Sequence, residues 1–135
     1  MRIQRIVSLF VALFMIAGLT AALGSSSATA VAAKAKEDRQ IEVSGKEPRP
    51  NKFFIKGRVT PTTGKTKAVV QKKNCASKKC GWFNDKLVKT NDKGRFTVRV
   101  FGPARGQQKV YYRVKTSPTA KYQGATSITL VIRRL

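Results

Sequence analysis

Apolar and polar residues alternate with a period of two in several short stretches of the chain. The clearest lies at residues 95–100, where Phe96, Val98 and Val100 alternate with arginine and threonine. This period is typical of a strand that is buried on one side. Residues 91–94, Asn-Asp-Lys-Gly, have turn chemistry, because Asn and Asp hydrogen-bond their own backbone and Gly tolerates positive φ. We therefore predict a hairpin that leads into a core strand with arginines on its other face.

The same alternation predicts further short strands. Their ranges are residues 53–59, 66–72, 82–89, 110–115 and 128–133. Within the second of these, Ala68 and Val70 are predicted to point inward. With the strand at residues 95–100 and the alternative short edge strand at residues 40–43, these segments make about seven strands. No run of period 3.6 is long enough to predict a helix. The pattern predicts an all-β fold in the form of a two-sheet sandwich. A five-stranded oligonucleotide-binding (OB-type) barrel is the alternative, although the strand count argues against it.

The first 30 residues have the layout of a secretory signal peptide. Arg2 and Arg5 give a positive start, residues 6–23 are largely apolar, and small residues with Ala-x-Ala sites follow at residues 28–32. An uncleaved membrane anchor is the alternative, because the apolar run is just long enough to span a bilayer. The small-residue region favours a cleaved signal helix. We therefore predict a secreted, extracellular protein with no membrane span after cleavage.

The remaining chain divides into two parts by composition. Residues 31–50 are polar and contain Pro48 and Pro50, which favours a flexible N-terminal segment. A short edge strand at residues 40–43 is the alternative. We predict that the folded domain comprises residues 51–135.

Charge is the strongest compositional feature. The chain has 28 Lys and Arg against six Asp and Glu, a formal net charge of +22. Most basic residues lie in residues 51–135, where Asp85 and Asp92 are the only carboxylates. Such a positive body repels itself and attracts polyanions. The alternative interpretation is a charged surface that only keeps the protein soluble.

Cys75 and Cys80 are the only cysteines, and an even pair in an exported chain predicts a disulfide bond. The closed loop is short, so chain-entropy arithmetic gives it about 2 kcal/mol of stabilisation. Two thiols in a chain without histidine make a poor zinc site. We interpret the pair as a structural clip and predict no metal site.

The composition also argues against enzymatic activity. Histidine, the commonest general base, is absent. The few carboxylates make a glycosidase pair improbable, and oxidised cysteines leave no thiolate nucleophile. No stretch has the glycine spacing of a phosphate-binding loop. We predict a non-enzymatic protein without catalytic residues or cofactors.

Several short motifs follow one another in order. They are Ile-Lys-Gly-Arg-Val-Thr-Pro at 55–61, Ala-Val-Val-Gln-Lys-Lys at 68–73, Trp82, Asp-Lys-Gly-Arg-Phe at 92–96, Tyr-Arg-Val at 112–114 and Tyr-Gln-Gly-Ala-Thr-Ser at 122–127. In this order they resemble the immunoglobulin-like and fibronectin type III-like modules of secreted bacterial proteins, especially those of actinobacteria. The resemblance implies an immunoglobulin-like sandwich in which Trp82, Phe96 and Tyr112 are structural. It also implies a non-enzymatic spacer, adhesive or binding role.

Basic residues are predicted to form two groups. If the first two strands and the residue 95–100 strand share a sheet, as the resemblance implies, one group lies on a single outer face. Its members are Lys56, Arg58, Lys67, Arg95 and Arg99. The second group surrounds the clipped loop, beside Trp82 and Phe83, and consists of Lys72, Lys73, Lys78 and Lys79. Arg113 and Lys115 are predicted to lie on the other sheet.

These features predict binding to anionic polymers, namely wall teichoic acid, acidic glycan or extracellular nucleic acid. An exported protein meets envelope polymers first, which favours a cell-wall polymer as the partner. One alternative is a small cationic effector or antimicrobial protein. Another is a structural module without a specific ligand, in which outward lysines only protect strand edges. No small-molecule substrate is predicted, and the sequence leaves the oligomeric state open.

Overall fold

Eight antiparallel β-strands build the fold in the computed structural model, which describes residues 33–134. The strands are β1 (Gln40–Arg49), β2 (Lys52–Thr60), β3 (Lys67–Lys73), β4 (Phe83–Lys89), β5 (Arg95–Val100), β6 (Lys109–Thr116), β7 (Ala125–Thr126) and β8 (Leu130–Arg133). Within the described range, no helix is long and apolar enough to cross a membrane. The predicted signal peptide at residues 1–30 lies outside the described residues.

The strands form two open antiparallel sheets, which confirms the predicted all-β, sandwich-like fold. One sheet has three strands in the order β1-β2-β5. The other has five, in the order β4-β3-β6-β7, with β8 also paired to β6. Because both sheets keep free edges, the OB-type barrel is not the fold. Lys34–Leu135 forms one compact unit that contains all eight strands.

Apolar residues from both sheets fill the space between them. Ala68 and Val70 are fully buried, as the alternation predicts, and Phe96 and Tyr112 are also core residues. The other members of the core are Ile41, Ile55, Val59, Val100, Val110 and Val114. Each buried side chain of this size stabilises the fold by about 1.5–3 kcal/mol. The outward positions that alternate with this core are the ones free to carry charge.

The turn at residues 91–94 has the predicted chemistry, but it does not make a hairpin. Asn91 Oδ1 accepts a hydrogen bond of 2.9 Å from the N–H of Arg95, and Gly94 has a φ of 74°. However, β4 pairs with β3 and β5 pairs with β2, so the turn carries the chain from one sheet to the other. A Cβ on Gly94 would collide with the carbonyl oxygen of Val59. Glycine therefore lets this crossing turn pack against the end of β2.

The segment predicted to be flexible, residues 31–50, instead contains β1. This strand pairs with β2 over most of its length, and Ile41 is part of the core. The sequence pattern does not predict this strand, because its apolar alternation is short and because proline, here Pro48, is disfavoured within strands. The structure accommodates this proline where the register shifts, between Lys46 and Arg49. The sandwich thus begins before the predicted boundary.

The last predicted strand is shorter than its alternation indicates. Leu130 and Ile132 pack against the core, but Ile128 is 69% exposed. The buried Ser127 interrupts the edge of β6, where its Oγ accepts a hydrogen bond of 2.8 Å from the N–H of Val114. A side chain here replaces a backbone partner, so the edge divides into β7 and β8.

Candidate functional site

The outer face of the three-stranded sheet carries four of the residues predicted to bind polyanions. Strand β2 presents Lys56 and Arg58, and β5 presents Arg95 and Arg99. All four side chains are exposed, and they alternate with buried residues along each strand. Since β2 and β5 are neighbours in the sheet, these cations form one surface.

Arg58 and Arg95 lie directly opposite each other in the β2–β5 pair. Neighbouring strands are about 4.8 Å apart, and like charges in this relation destabilise a sheet. On the other side, Glu42 of β1 lies opposite Arg58, so the one carboxylate in this row neighbours Arg58 and not Arg95. A shallow depression of about 530 Å³ lies here, and Lys56 and Thr97 also line it. This end of the face therefore holds excess positive charge.

A further row of this face contains two residues that sequence reasoning missed. Half-buried Phe54 of β2 lies between Lys46 of β1 and Arg99 of β5. Lys46 escaped prediction because the proline-containing segment was interpreted as flexible. Its signal was the continued period-two pattern after Ile41. We call this surface the basic face, defined by Lys46, Phe54, Lys56, Arg58, Arg95 and Arg99.

Lys67, the fifth residue of the predicted lattice, is not on the basic face. It lies on β3 opposite Lys89, in the five-stranded sheet. The prediction that the first two predicted strands share a sheet is wrong, because residues 61–66 carry the chain across the sandwich. Lys67 and Lys89 are exposed there, together with Lys115 of β6, which lies in the same sheet as Arg113, as predicted.

The loop at residues 74–82 joins β3 and β4 into a hairpin. The predicted disulfide bond between Cys75 and Cys80 is present, with the two Cα atoms 6.0 Å apart. Ser77 tightens the loop, since its backbone oxygen accepts a hydrogen bond of 3.2 Å from the N–H of Cys80. Lys78 and Lys79 are exposed between the two cysteines. The clip therefore holds a small basic loop at one end of the five-stranded sheet.

Trp82 is half-buried on the outer side of the five-stranded sheet, so the prediction of a core anchor is wrong. The Arg113 guanidinium carbon lies 4.3 Å from its ring centroid, and Lys73 Nζ lies 5.2 Å from it. Arg113 Nε donates a hydrogen bond of 2.8 Å to Gln71 Oε1. Gln71 Nε2 in turn donates one of 2.9 Å to Asn84 Oδ1. We call these five residues the tryptophan patch.

Lys72 separates from the predicted loop group because it alternates with Lys73 along β3. Its Nζ lies 6.0 Å from the ring centroid of Phe83. Nearby in chain order, Lys86 Nζ donates a hydrogen bond of 2.7 Å to the carbonyl oxygen of Arg99 and lies 4.8 Å from the ring centroid of Phe101. The four predicted lysines therefore do not form a single surface.

Tyr112 has the clearest electrostatic perturbation in the described part of the chain. Burial raises the pKa of Tyr112 to about 12; its hydrogen bond to the Phe101 backbone opposes this rise, and the charge of Asp85 adds to it. The hydroxyl donates to the carbonyl oxygen of Phe101 at 2.8 Å and accepts from the Phe101 N–H at 3.3 Å. Tyr112 is thus a neutral side chain that ties β6 to the segment after β5, which is a structural role.

No protein-family model matches the chain, and no curated protein matches it significantly. Within residues 33–134, no group of three or more His, Cys, Asp or Glu side chains is placed to hold a metal ion. The basic face is therefore the main candidate surface of this protein.

Proposed function

We propose that this chain is an exported, non-enzymatic β-sandwich protein that binds anionic polymers of the cell envelope through the basic face. The observation that carries the proposal is the direct Arg58–Arg95 pair at one end of that face, with one carboxylate, Glu42, beside Arg58. A sheet that tolerates this repulsion gains free energy when a polyanion neutralises it. The flanking Lys56 and Arg99 extend the same charge along both strands.

The shape of the basic face favours a polymer over a small ligand. Outward side chains on one strand recur about every 7 Å, and neighbouring strands are about 4.8 Å apart. The face is an open sheet surface, and its depression is shallow. A flexible chain with repeated negative charges fits such a surface, because each contact releases a counterion independently of an enclosing pocket.

The strand order supports an immunoglobulin-like or fibronectin type III-like module of a secreted bacterial protein. In the usual lettering, β1, β2 and β5 correspond to strands A, B and E of one sheet. Strands β3 and β6, with the β7–β8 edge, correspond to C, F and G of the other. The hydroxyl of Tyr112 on the Phe101 backbone resembles the tyrosine corner of such domains. Modules of this type act as spacers, adhesive domains or binding domains, and the basic face favours binding.

The decisive experiment measures binding of residues 31–135, which include the whole compact unit, to purified cell wall across a salt series. Wall that retains teichoic acid is compared with wall from which the polymer has been removed. We expect binding that requires the polymer, with log affinity falling against log salt at a slope of about −3 to −5 for several anion contacts. Absent or salt-insensitive binding would contradict the proposal.

A second candidate function is a cationic effector that acts on anionic membranes. The observation in its favour is that Phe83 and Phe101 are 45% and 54% exposed, and that Lys72 and Lys86 approach their rings. Dye leakage from anionic lipid vesicles separates the two functions. A rigid sandwich that binds polymers leaves the vesicles intact, whereas a membrane effector releases the dye.

A further inference from the structure

A second cavity lies apart from the basic face, and a buried arginine is among the residues that line it. The cavity has a volume of about 650 Å³ and opens between residues 63–67, residues 117–122 and Arg39. Arg39, which precedes β1, is only 8% exposed. None of the residues that line the cavity belongs to the basic face.

Arg39 has no anionic partner in the described part of the chain. Its Nε and Nη1 atoms are buried and make no hydrogen bond to any described residue. Its guanidinium carbon lies 4.3 Å from the ring centroid of Tyr122, which is a cation–π distance. The backbone nearby is also pinned, because the N–H of Glu37 donates to the carbonyl oxygen of Lys121 at 3.0 Å. The arginine is thus held in place while two of its nitrogen atoms remain unpaired.

A buried guanidinium without a partner destabilises a fold, because its lost hydration is not replaced. An anion that accepts hydrogen bonds from the guanidinium would remove this penalty. Three more cations line the cavity, namely Lys65, Lys67 and Lys121, and no carboxylate does. This excess of positive charge favours a doubly charged anion over a carboxylate.

The cavity also has the lining that an organic phosphate requires. Thr63 and Ser117 supply hydroxyl groups, which donate hydrogen bonds to phosphate oxygens. Leu87, Pro118 and Tyr122 supply apolar surface for a carbon skeleton. An arginine in the lining adds a charge-assisted donor for phosphate oxygens.

We propose that this cavity binds the phosphate monoester group of a small sugar or polyol, with Arg39 as its central ligand. The site takes one group in a recess, whereas the basic face takes a chain of charges. It does not depend on polymer binding at the basic face, so the two proposals fail or succeed separately.

The test uses residues 31–135 with inorganic phosphate and with sn-glycerol 3-phosphate as probes. Binding is followed by amide chemical shifts and by thermal unfolding, against sodium chloride of equal ionic strength. We expect both probes to shift amide signals at residues 63–67 and 117–122 and to raise the unfolding temperature above that in chloride. Glycerol 3-phosphate should bind more tightly, because it also covers the apolar wall. Equal affinities would overturn the assignment to an organic phosphate.

The main variant is Arg39→Met, which removes the charge but keeps an apolar stem against Tyr122. We expect phosphate affinity to fall at least about tenfold, the loss associated with a charge-assisted hydrogen bond. In phosphate-free buffer the variant should unfold at or above the wild-type temperature, since an unpaired buried cation is gone. Wild-type phosphate affinity in this variant would overturn the proposal.

Two controls keep the test decisive. Arg105→Met removes an exposed arginine that does not line the cavity, and it should bind phosphate like wild type. If Arg39→Met does not fold, the double variant Lys65→Gln/Lys121→Gln changes only exposed lining residues and should still weaken phosphate binding. Unchanged affinity in that double variant, or identical signal shifts in phosphate and chloride, would overturn the site.

Discussion

The two outer faces of the sandwich are both rich in cations, but they hold them differently. In the tryptophan patch, Arg113 and Lys73 lie over Trp82, and Arg113 is also hydrogen-bonded. On the basic face, Arg58 lies opposite Arg95, a partner of the same charge. The first arrangement satisfies its cations within the protein, whereas the second leaves them to gain from an external anion. The number of basic residues on a face therefore does not identify a binding surface, and their partners must be known.

The five-stranded sheet also contains like-charge pairs, which make the comparison sharper. Lys67 lies opposite Lys89, and Lys109 lies opposite Arg133. If repulsion alone attracted polyanions, these pairs would bind them as well. The basic face differs because both strands of its pair carry a further exposed cation, Lys56 on β2 and Arg99 on β5. Variants with equal charge loss on the two faces separate these explanations.

The largest expected effect is on polymer binding. The triple variant Lys56→Gln/Arg58→Gln/Arg99→Gln removes three exposed cations of the basic face without touching the core. We expect affinity for teichoic acid to fall by about 100-fold at low salt, and the salt slope to decrease by about two to three units, as about one unit is lost per anion contact. The measurement is a binding isotherm at several salt concentrations, with circular dichroism to check the fold.

The matched control is Lys89→Gln/Lys109→Gln/Lys115→Gln, which removes the same charge from the other sheet. All three side chains are exposed. We expect teichoic acid affinity to stay within about threefold, because only the long-range field changes. Equal losses in both triple variants would mean that net charge alone attracts the polymer. A loss confined to the control would move the site to the five-stranded sheet.

The next largest expected effect is on the free energy of unfolding. The same variant also measures how a structural change away from the basic face affects polymer binding. Tyr112→Phe removes a hydroxyl that donates to the Phe101 carbonyl at 2.8 Å. We expect the free energy of unfolding to fall by about 1–3 kcal/mol, since partly buried backbone groups lose their partner. Teichoic acid affinity at neutral pH should not change. A loss of affinity in this variant would show that binding depends on the frame of the sandwich as well as on its charges.

The same variant changes the response to alkaline pH. The folded-state pKa of Tyr112, about 12, lies above its usual value near 10, so folding favours the protonated phenol. This contribution to stability is complete below pH 10 and is lost as pH rises towards 12. Tyr112→Phe should therefore show a shallower decline in the free energy of unfolding across that interval. Tyr111→Phe on the same strand is the control for loss of a phenol, and a slope unchanged by Tyr112→Phe would contradict the prediction.

A smaller effect tests whether the tryptophan patch is structural. Trp82→Ala removes the ring over which Arg113 and Lys73 lie. We expect the free energy of unfolding to fall by about 1–2 kcal/mol, from two partly exposed cation–π contacts and some apolar burial. Teichoic acid affinity should remain within about twofold, which a binding isotherm checks. A tenfold loss of affinity would mean that the patch, and not only the basic face, contacts the polymer.

Sequence reasoning predicted the fold class and most strand faces, because alternation reports burial directly. Ala68, Val70 and Phe96 are buried as predicted. It failed where a residue acts through a distant partner. Trp82 is of a residue type that usually packs in a core. Its ring instead contacts the guanidinium group of Arg113, which belongs to β6, on the outer side of the sheet. Likewise, nothing in the local pattern shows that Ser127 would interrupt the edge of β6.

The candidate site was predicted in part for the same reason. Alternation identified the outward cations of β2 and β5, but the register that places Arg58 opposite Arg95 is a tertiary property. Lys67 was assigned to the wrong sheet because turn chemistry at residues 61–64 does not distinguish a hairpin from a crossing between sheets. Arg39 gave no signal, since its burial depends on Tyr122, far along the chain. The local sequence thus predicted which basic residues are exposed, whereas the pairing of the strands decides which of them lie next to each other.

The smallest effect tests the basis of the comparison itself. Arg95→Gln removes one member of the like-charge pair, so we expect the free energy of unfolding to rise by about 0.2–0.5 kcal/mol at low salt. The gain should disappear near 0.5 M salt, where screening already weakens the repulsion. Chemical denaturation at both salt concentrations measures it, with Arg105→Gln, an exposed arginine outside the strands, as the control that shows no gain. Teichoic acid affinity should fall in Arg95→Gln alone. A gain in stability together with a loss of polymer affinity is expected of a residue that serves binding at the expense of the fold. A loss of stability that does not depend on salt would instead mean that Arg58 and Arg95 do not repel each other.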